Sequence, residues 1–198
     1  MPRKFSQIAF TPAVKAAQTR HGSRQIYARF EESGPANDKV TAEISQFIAE
    51  RDSFYLGTVS ANGWPYIQFR GGLPGFLKVI DENTLGFADY KGNAQYITVG
   101  NLAENNKAFI FLMDYRNRRR LKLWGRATVV EDDTGLIQDL CDSNYPVEIE
   151  QAILFQVEAW NWNCPQHIPI HYSENEVTEI VNKLQDRIVE LEGLLTQK

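Results

Sequence analysis

Apolar positions along this chain keep a helical spacing at first and switch to alternation near residue 53. Thr11-Pro12 followed by Ala13 to Thr19 predicts a short helix with proline near its first turn, ended by Gly22 and Ser23. Glu31 to Asp38, with Gly34 and Pro35, predicts a loop. A second helix opens at Thr41, whose hydroxyl suits an N-cap. Glu43 sits in its first turn, and Ile44, Phe47 and Ile48 make one apolar face.

Beyond Ser53 the pattern is that of strands. Phe54 to Ser60 and Tyr66 to Arg70 flank Ala61-Asn62-Gly63-Trp64, where an Asn-Gly centre predicts a tight type I′ hairpin turn. Gly71, Gly72, Pro74 and Gly75 interrupt the pattern. Phe76 to Ile80 and Thr84 to Asp89 follow as strands around a turn at Asp81 to Asn83. A short helix is expected between Tyr90 and Asn106. Lys107 to Met113 reads as a strand covered on both faces, Asp114 to Arg118 as a turn, Arg119 to Val130 as a long strand, Asp133 to Ser143 as a helix and Ile153 to Trp160 as the last strand. The prediction is a mainly β fold with flanking helices: six or seven antiparallel strands in a closed or nearly closed barrel, which removes exposed edges. There is no regular β–α alternation, which argues against a doubly wound nucleotide fold, and no G-x-G-x-x-G or P-loop is present.

The last thirty residues are different. Val177, Val181, Leu184, Ile188, Leu191 and Leu195 are spaced 4, 3, 4, 3, 4, a seam of nearly three heptads. Such a helix either packs on its own domain or pairs across a dimer. The expected organisation is an N-terminal arm with a short helix at 1–40, a split barrel at 41–170 and an amphipathic helix at 171–198.

Composition narrows the classes of function. The chain has 198 residues, 43% hydrophobic and 23% charged, enough for a core without covalent staples and wrong for disorder. A formal net charge of -4 gives no general attraction to nucleic acid or an anionic membrane, so any anion site is local. Cys141 and Cys164 form no C-x-x-C motif and no disulfide framework. Met1 to Phe10 holds no continuous apolar stretch, and no run approaches about 18 apolar residues, the span a membrane helix needs. A cytoplasmic protein is expected.

Candidate chemistry concentrates in four places. Arg116, Arg118, Arg119, Arg120 and Lys122 surround a turn and the strand after it, and arginine forks match phosphate. On that strand Arg120 and Lys122 share one face and Arg119 the other, so they cannot all serve one ligand; a solvated hairpin end is the alternative. Lys78 follows Leu77 inside an apolar run, where it needs an anion or water. Tyr90-Lys91-Gly92-Asn93-Ala94-Gln95 joins a strand to a helix, whose free N–H groups suit phosphate. Trp160 and Trp162 share a face and could cover an aromatic ring or pack in a core. Cys164, His167 and His171 have metal-like spacing but lack a fourth ligand, so no metal is expected. Pro165 argues against a Cys164–His167 nucleophile pair.

Taken together, Trp64-Pro65-Tyr66, Phe76-Leu77-Lys78 through Phe87-Ala88-Asp89-Tyr90, Asn101 to Asn106 and Arg119 to Arg126 resemble the pyridoxamine 5'-phosphate oxidase superfamily over roughly Thr41 to Ile170, closest to its predicted flavin-nucleotide-binding branch. The resemblance implies a split-barrel homodimer with two FMN sites at the subunit interface. The strand of the oxidases that lies along the flavin ends on Lys78. Their next contact pair falls on Ala88 and Asp89, and their Arg-Gln pair on Arg119 and Arg120. A tryptophan given by the partner subunit falls on Trp160. Their Ser-Arg-Lys phosphate turn falls near Asn93-Ala94-Gln95, here without the Arg-Lys, so Arg70 or the Arg119/Arg120 pair would supply the charge. The substrate arginine of the oxidases has no counterpart in Cys164 to Ile168, which argues against vitamin B6 oxidation. The resemblance implies an FMN-dependent oxidoreductase working through flavin N5, with a nicotinamide reductant or small-molecule substrate. The rivals are a non-catalytic flavin carrier, a redox sensor, and a module that binds haem or a deazaflavin.

Overall fold

The computed structural model describes residues 3–196. These fall into two compact units. One holds the chain up to Met113 together with Arg120–Cys164; the other holds Asp114–Arg119 together with the chain from Pro165 onward.

The first unit is built on a seven-stranded antiparallel sheet, in the order β2-β1-β5-β6-β7-β4-β3. The strands are β1 (Ser53–Val59), β2 (Pro65–Gly71), β3 (Lys78–Val79), β4 (Thr84–Tyr90), β5 (Lys107–Asp114), β6 (Arg119–Val130) and β7 (Ile149–Trp162). Alternation places one side chain in two on the inner face: Phe54 and Leu56 of β1, Ile110 and Leu112 of β5, Leu121 and Leu123 of β6, all at most 1% exposed. The sheet is rolled. Phe54 of β1 meets Phe87 of β4 edge to face at 5.1 Å, although three strands separate them in the sheet order. Helix α4 (Ala42–Ala49) plugs the roll with Ile44, Phe47 and Ile48, all buried. It starts as expected at Thr41, whose hydroxyl accepts from the Ile44 N–H at 3.4 Å.

The period-two reading locates the strands well; β6 runs over Arg119–Val130 as predicted. Four details differ. β3 covers only Lys78–Val79, because Phe76 and Leu77 turn into the core instead of continuing a strand. β7 begins at Ile149, four residues early, paired with Tyr90. The β1–β2 turn is not type I′, which needs positive φ at both central residues. Only Gly63 is left-handed, with φ 83°. The Gly63 N–H donates to the Ser60 carbonyl at 2.9 Å, and the Ser60 N–H to the Trp64 carbonyl at 3.0 Å.

The fourth difference lies in the N-terminal arm, which is helical along most of its length: α1 (Lys4–Ala9), α2 (Pro12–Arg20) and α3 (Arg24–Glu32). The sequence pattern predicts only α2. Phe5, Phe10, Tyr27 and Phe30 pack edge to face in one aromatic cluster, and Phe5 reaches Trp124 on the outer face of β6 at 5.5 Å. Helix α5 (Ile97–Glu104) follows β4, and α6 (Thr134–Leu140) lies between β6 and β7. In the second unit, Ser173 and Glu176 form a reciprocal capping box that starts α7 (Glu174–Thr196). No described helix is long and apolar enough to cross a membrane.

Candidate functional site

The two ends of the rolled sheet meet at a polar seam. Arg70 lies on β2, one edge strand, and Asp89 on β4, next to the other edge. Their side chains form an ion pair, 13% and 6% exposed. The second Asp89 oxygen accepts from the Gln151 amide at 2.8 Å, and Gln151 sits beside Asp89 in the β4–β7 register. Two of the three Arg70 guanidinium nitrogens can look elsewhere, and its Nε is buried with no acceptor. A buried donor left open is uncommon and calls for a ligand, a water or a second chain.

Above this seam runs Lys91–Tyr96, the loop from β4 to α5. Ala94 and Tyr96 both take left-handed backbone, with φ 57° and 52°. Such residues cost about 1–3 kcal/mol each and persist only where the surroundings impose them. Here the Tyr96 hydroxyl donates to Glu150 at 2.9 Å, and the Gln95 N–H donates to the Asn93 side chain at 3.3 Å. The bond to the Glu150 carboxylate, with its charge, pushes the Tyr96 phenol pKa up. Lys91 pairs with Glu148 at 2.8 Å, which ties the loop to the start of β7. The helix that follows is pinned from below: Thr98 donates to Gln68 of β2 at 2.7 Å, and Asn101 donates to Thr58 of β1 at 3.0 Å. The result is a cleft floored by Gln68, Arg70 and Asp89 and roofed by Gly92 to Val99, enclosing a cavity of about 40 Å³. A second cavity of about 160 Å³ adjoins it along Arg70, Phe76, Phe87 and Ala88.

A wider hollow of about 780 Å³ lies beside α5, between Val99–Asn106 and Ala127–Asp132. The ionisable side chains among its described lining are Glu104, Glu131 and Asp132, with no cation, so it offers nothing to a phosphate.

The sequence-predicted residues divide into two sets. Arg70, Asp89, Asn93 and Gln95 come together in the cleft, and Ala88 lines the adjoining cavity. The others do not line either cavity. Leu77 is buried in the core at 1% exposure. Lys78 stands on β3, opposite Gly86. Trp160 is 8% exposed within its own chain, with its indole N–H donating to the Lys39 carbonyl at 2.7 Å. Trp162 meets Phe47 edge to face at 4.9 Å. Both tryptophans face inward because their β6 partners, Leu123 and Leu121, are core residues. Arg119 and Arg120 open β6 and point to opposite faces, as alternation requires. Arg120 donates through Nη2 to the Cys164 carbonyl at 3.2 Å, and its Nε, like that of Arg70, is buried without an acceptor. Beside Arg120 on the same face, Lys122 has its ammonium 5.5 Å above the Trp124 ring. Burial, and then the Arg120 charge, pushes the Lys122 pKa down. Among the described residues, no group of three His, Cys, Asp or Glu is placed to hold a metal.

Sequence reasoning missed Gln68, Thr98, Tyr96, Glu150 and Gln151. Gln68 carried a signal, since it shares the β2 face with Arg70 and Tyr66. The remaining four depend on how the loop and the start of β7 fold over that strand.

A single chain does not enclose a flavin. The cleft's own cavity of about 40 Å³ holds a few water molecules at most, against about 300 Å³ or more for an ordinary small-molecule site. The donor set does suit one: the Arg70 Nε without an acceptor and uncharged amides at Gln68, Asn93 and Gln95. The residues fit FMN as one wall of a site.

Comparison with known proteins agrees with this architecture. The sequence profile of the pyridoxamine 5'-phosphate oxidase family matches residues 40–153. HupZ of Group A Streptococcus superposes with a TM-score of 0.53 at 18% identity, covering 67% of this chain and 99% of that one. A relative of general stress protein 26 from Clostridium acetobutylicum superposes at 0.49 and 20% identity, covering 68% and 94%. An FMN-binding protein from Syntrophomonas wolfei superposes at 0.47 and 14% identity, covering 74% and 97%. No curated protein sequence matches. With its profile match over more than half of the sequence and a rolled, split antiparallel sheet, this chain belongs to the pyridoxamine 5'-phosphate oxidase family.

Proposed function

We propose that this chain is an FMN-binding flavoprotein that works as a homodimer, with each cofactor held between two barrels. The observation that carries the reading is the buried Arg70 Nε, without an acceptor, in a cleft roofed by a loop with two left-handed non-glycine residues. A second copy would complete the site. The outer surface of β1 and β2 presents Tyr55, Ile67 and Phe69, 38% to 67% exposed, with Trp64, 75% exposed, in the turn between the strands, and an edge strand this apolar needs cover. Continuing that surface, Phe109 and Phe111 of β5 lie on the same face of the sheet as Tyr55.

Bound FMN would supply hydride transfer through its N5. The chain's own residues would bind and orient it. N–H groups of the Asn93–Thr98 segment and the Arg70 or Arg120 guanidinium would hold the phosphate, in place of the absent Arg-Lys pair. Gln68 and Asn93 would fix polar edges, and the buried Asp89–Gln151 pair keeps Arg70 oriented. Of the titratable groups that line the cleft, Tyr96 and Glu150 bind each other, and Asp89 is shared by Arg70 and Gln151. That pairing favours a flavin carrier or redox sensor as the second reading.

Titration of FMN into the purified protein, followed by flavin absorbance and fluorescence quenching, tests the proposal. Arg120→Ala is expected to weaken binding about 10- to 100-fold, the range for losing a hydrogen bond to a charged group. Unchanged affinity removes Arg120 from the site. A monomer that refuses FMN in excess overturns the reading, and a Soret band in the protein as purified replaces it with haem. Rapid bleaching of the bound flavin by NADH or NADPH favours the oxidoreductase over the carrier.

A further inference from the structure

We propose that α7 pairs with the α7 of a second copy of this chain as a parallel, in-register, two-stranded coiled coil. The seam assigns itself to heptad positions: Val181, Ile188 and Leu195 fall at a, and Val177, Leu184 and Leu191 at d. All six are exposed, from 43% for Val181 to 73% for Leu195. A helix of 23 residues, about 35 Å long, with six apolar side chains in a single exposed row does not stand alone in water.

The identity of the seam residues selects the occupant. β-branched residues at a with leucine at d favour two parallel strands; uniform isoleucine, or leucine at a with isoleucine at d, favours three or four. Here the four central layers have Val181 and Ile188 at a and Leu184 and Leu191 at d. The flanking charges select the direction. In parallel register a g residue faces the e residue five positions on in the other helix, which sets Arg187 against Glu192 twice by symmetry. In an antiparallel pair g faces g and e faces e, and this opposite-sign match is lost. Arg187 also lies within 2.5 Å of Glu190 of its own helix. That pair is exposed on both sides, so it leaves the guanidinium free to bridge outward. Ile180 and Leu194, also at g, widen the apolar row near its two ends. The f positions are Glu179, Asp186 and Gly193, and a Cβ added at Gly193 would meet nothing within 4 Å, as suits the outer face. A parallel pair has a two-fold axis along its length, the symmetry of a simple homodimer.

The test uses the full chain with its two free thiols removed as Cys141→Ser and Cys164→Ser. In that background Leu184→Cys, at a d position, is expected to form a 184–184 disulfide in high yield under mild oxidation, since facing d residues lie within bonding reach. Asp186→Cys, at f, is expected to cross-link at least tenfold more slowly. Adding Arg187→Glu to Leu184→Cys should slow cross-linking several-fold, and adding Glu192→Arg as well should restore it. Equal cross-linking at 184 and 186, no rescue by the charge swap, or a trimeric or tetrameric mass by light scattering overturns the proposal. The readout is independent of the cofactor: a chain that cross-links at 184 but refuses FMN overturns the flavin reading alone.

Discussion

The ion pair that closes the barrel should be the most sensitive point of the first unit. Replacing Arg70 by Met keeps most of the stem that packs near Phe87 but leaves the Asp89 carboxylate, 6% exposed, to the Gln151 amide. Breaking a buried pair from one side costs about 3–5 kcal/mol, because the remaining charge stays desolvated. The Gln151 N–H does not offset that, because its hydrogen bond to the carboxylate is already present in the native state and does not grow. We therefore expect Arg70→Met to lower stability by about 3–5 kcal/mol. At about 2–4 °C per kcal/mol for a chain of this size, the loss in Tm is on the order of 10 °C. Arg70→Met with Asp89→Asn should recover at least half of it, since the new amide oxygen still accepts from Gln151 and carries no charge. Urea unfolding of the cofactor-free protein at one fixed concentration measures wild type and both variants on a common footing. A single-variant loss below about 1 kcal/mol, the range of an exposed pair, would refute the view that this pair holds the two sheet edges together. A double variant no better than the single would show that the effect is lost packing and not charge.

Two further outcomes follow from the β6 strand. A Cβ at Gly125 would sit 2.1 Å from the Gln156 carbonyl oxygen and 2.6 Å from the Phe155 ring, at the bulge in the β6–β7 register, so Gly125→Ala should cost about 1–3 kcal/mol or more in thermal unfolding; an unchanged Tm would mean the bulge is free to move. Lys122 is penalised as a cation in the folded state, so the penalty is complete below its lowered folded pKa, fades as pH rises, and is gone above the unfolded value of about 10.4. Lys122→Met should therefore raise the urea midpoint at neutral pH and lose that gain in alkali; a gain independent of pH would assign it to packing.

Strands were legible where one face is buried and the other is not, because alternation then records burial directly. β6 is the clearest case: Leu121, Leu123 and Ala127 are buried on one side, and the bulge at Gly125 does not spoil the pattern. The arm helices were not legible for the converse reason. α1 has six residues, too few for a stripe to repeat, and α3 carries no buried residue and leaves Ile26 68% exposed, although Ile26, Tyr27 and Phe30 fall at helical spacing. What holds α3 is distant in sequence: Phe30 against Phe5, and Glu31 against Lys15. The tryptophans show a subtler limit. A spacing of two says that Trp160 and Trp162 share a face, but not which face, and only pairing with Leu123 and Leu121 turns them into the core.

The same limit explains how far the cleft could be read. The resemblance marks Arg70 and Asp89 separately as cofactor contacts, and nothing local says that strands at opposite ends of the sheet order bring them together. Rolling does that, and the rolling is driven by Phe54, Phe76 and Phe87, which meet inside. The cleft is thus a consequence of incomplete closure. Where β2 and β4 approach without pairing as strands, side chains must satisfy what a ladder would have satisfied, and the Arg70–Asp89–Gln151 set does so with one donor left over. A fully closed sheet would have had no such gap and no open donor to offer.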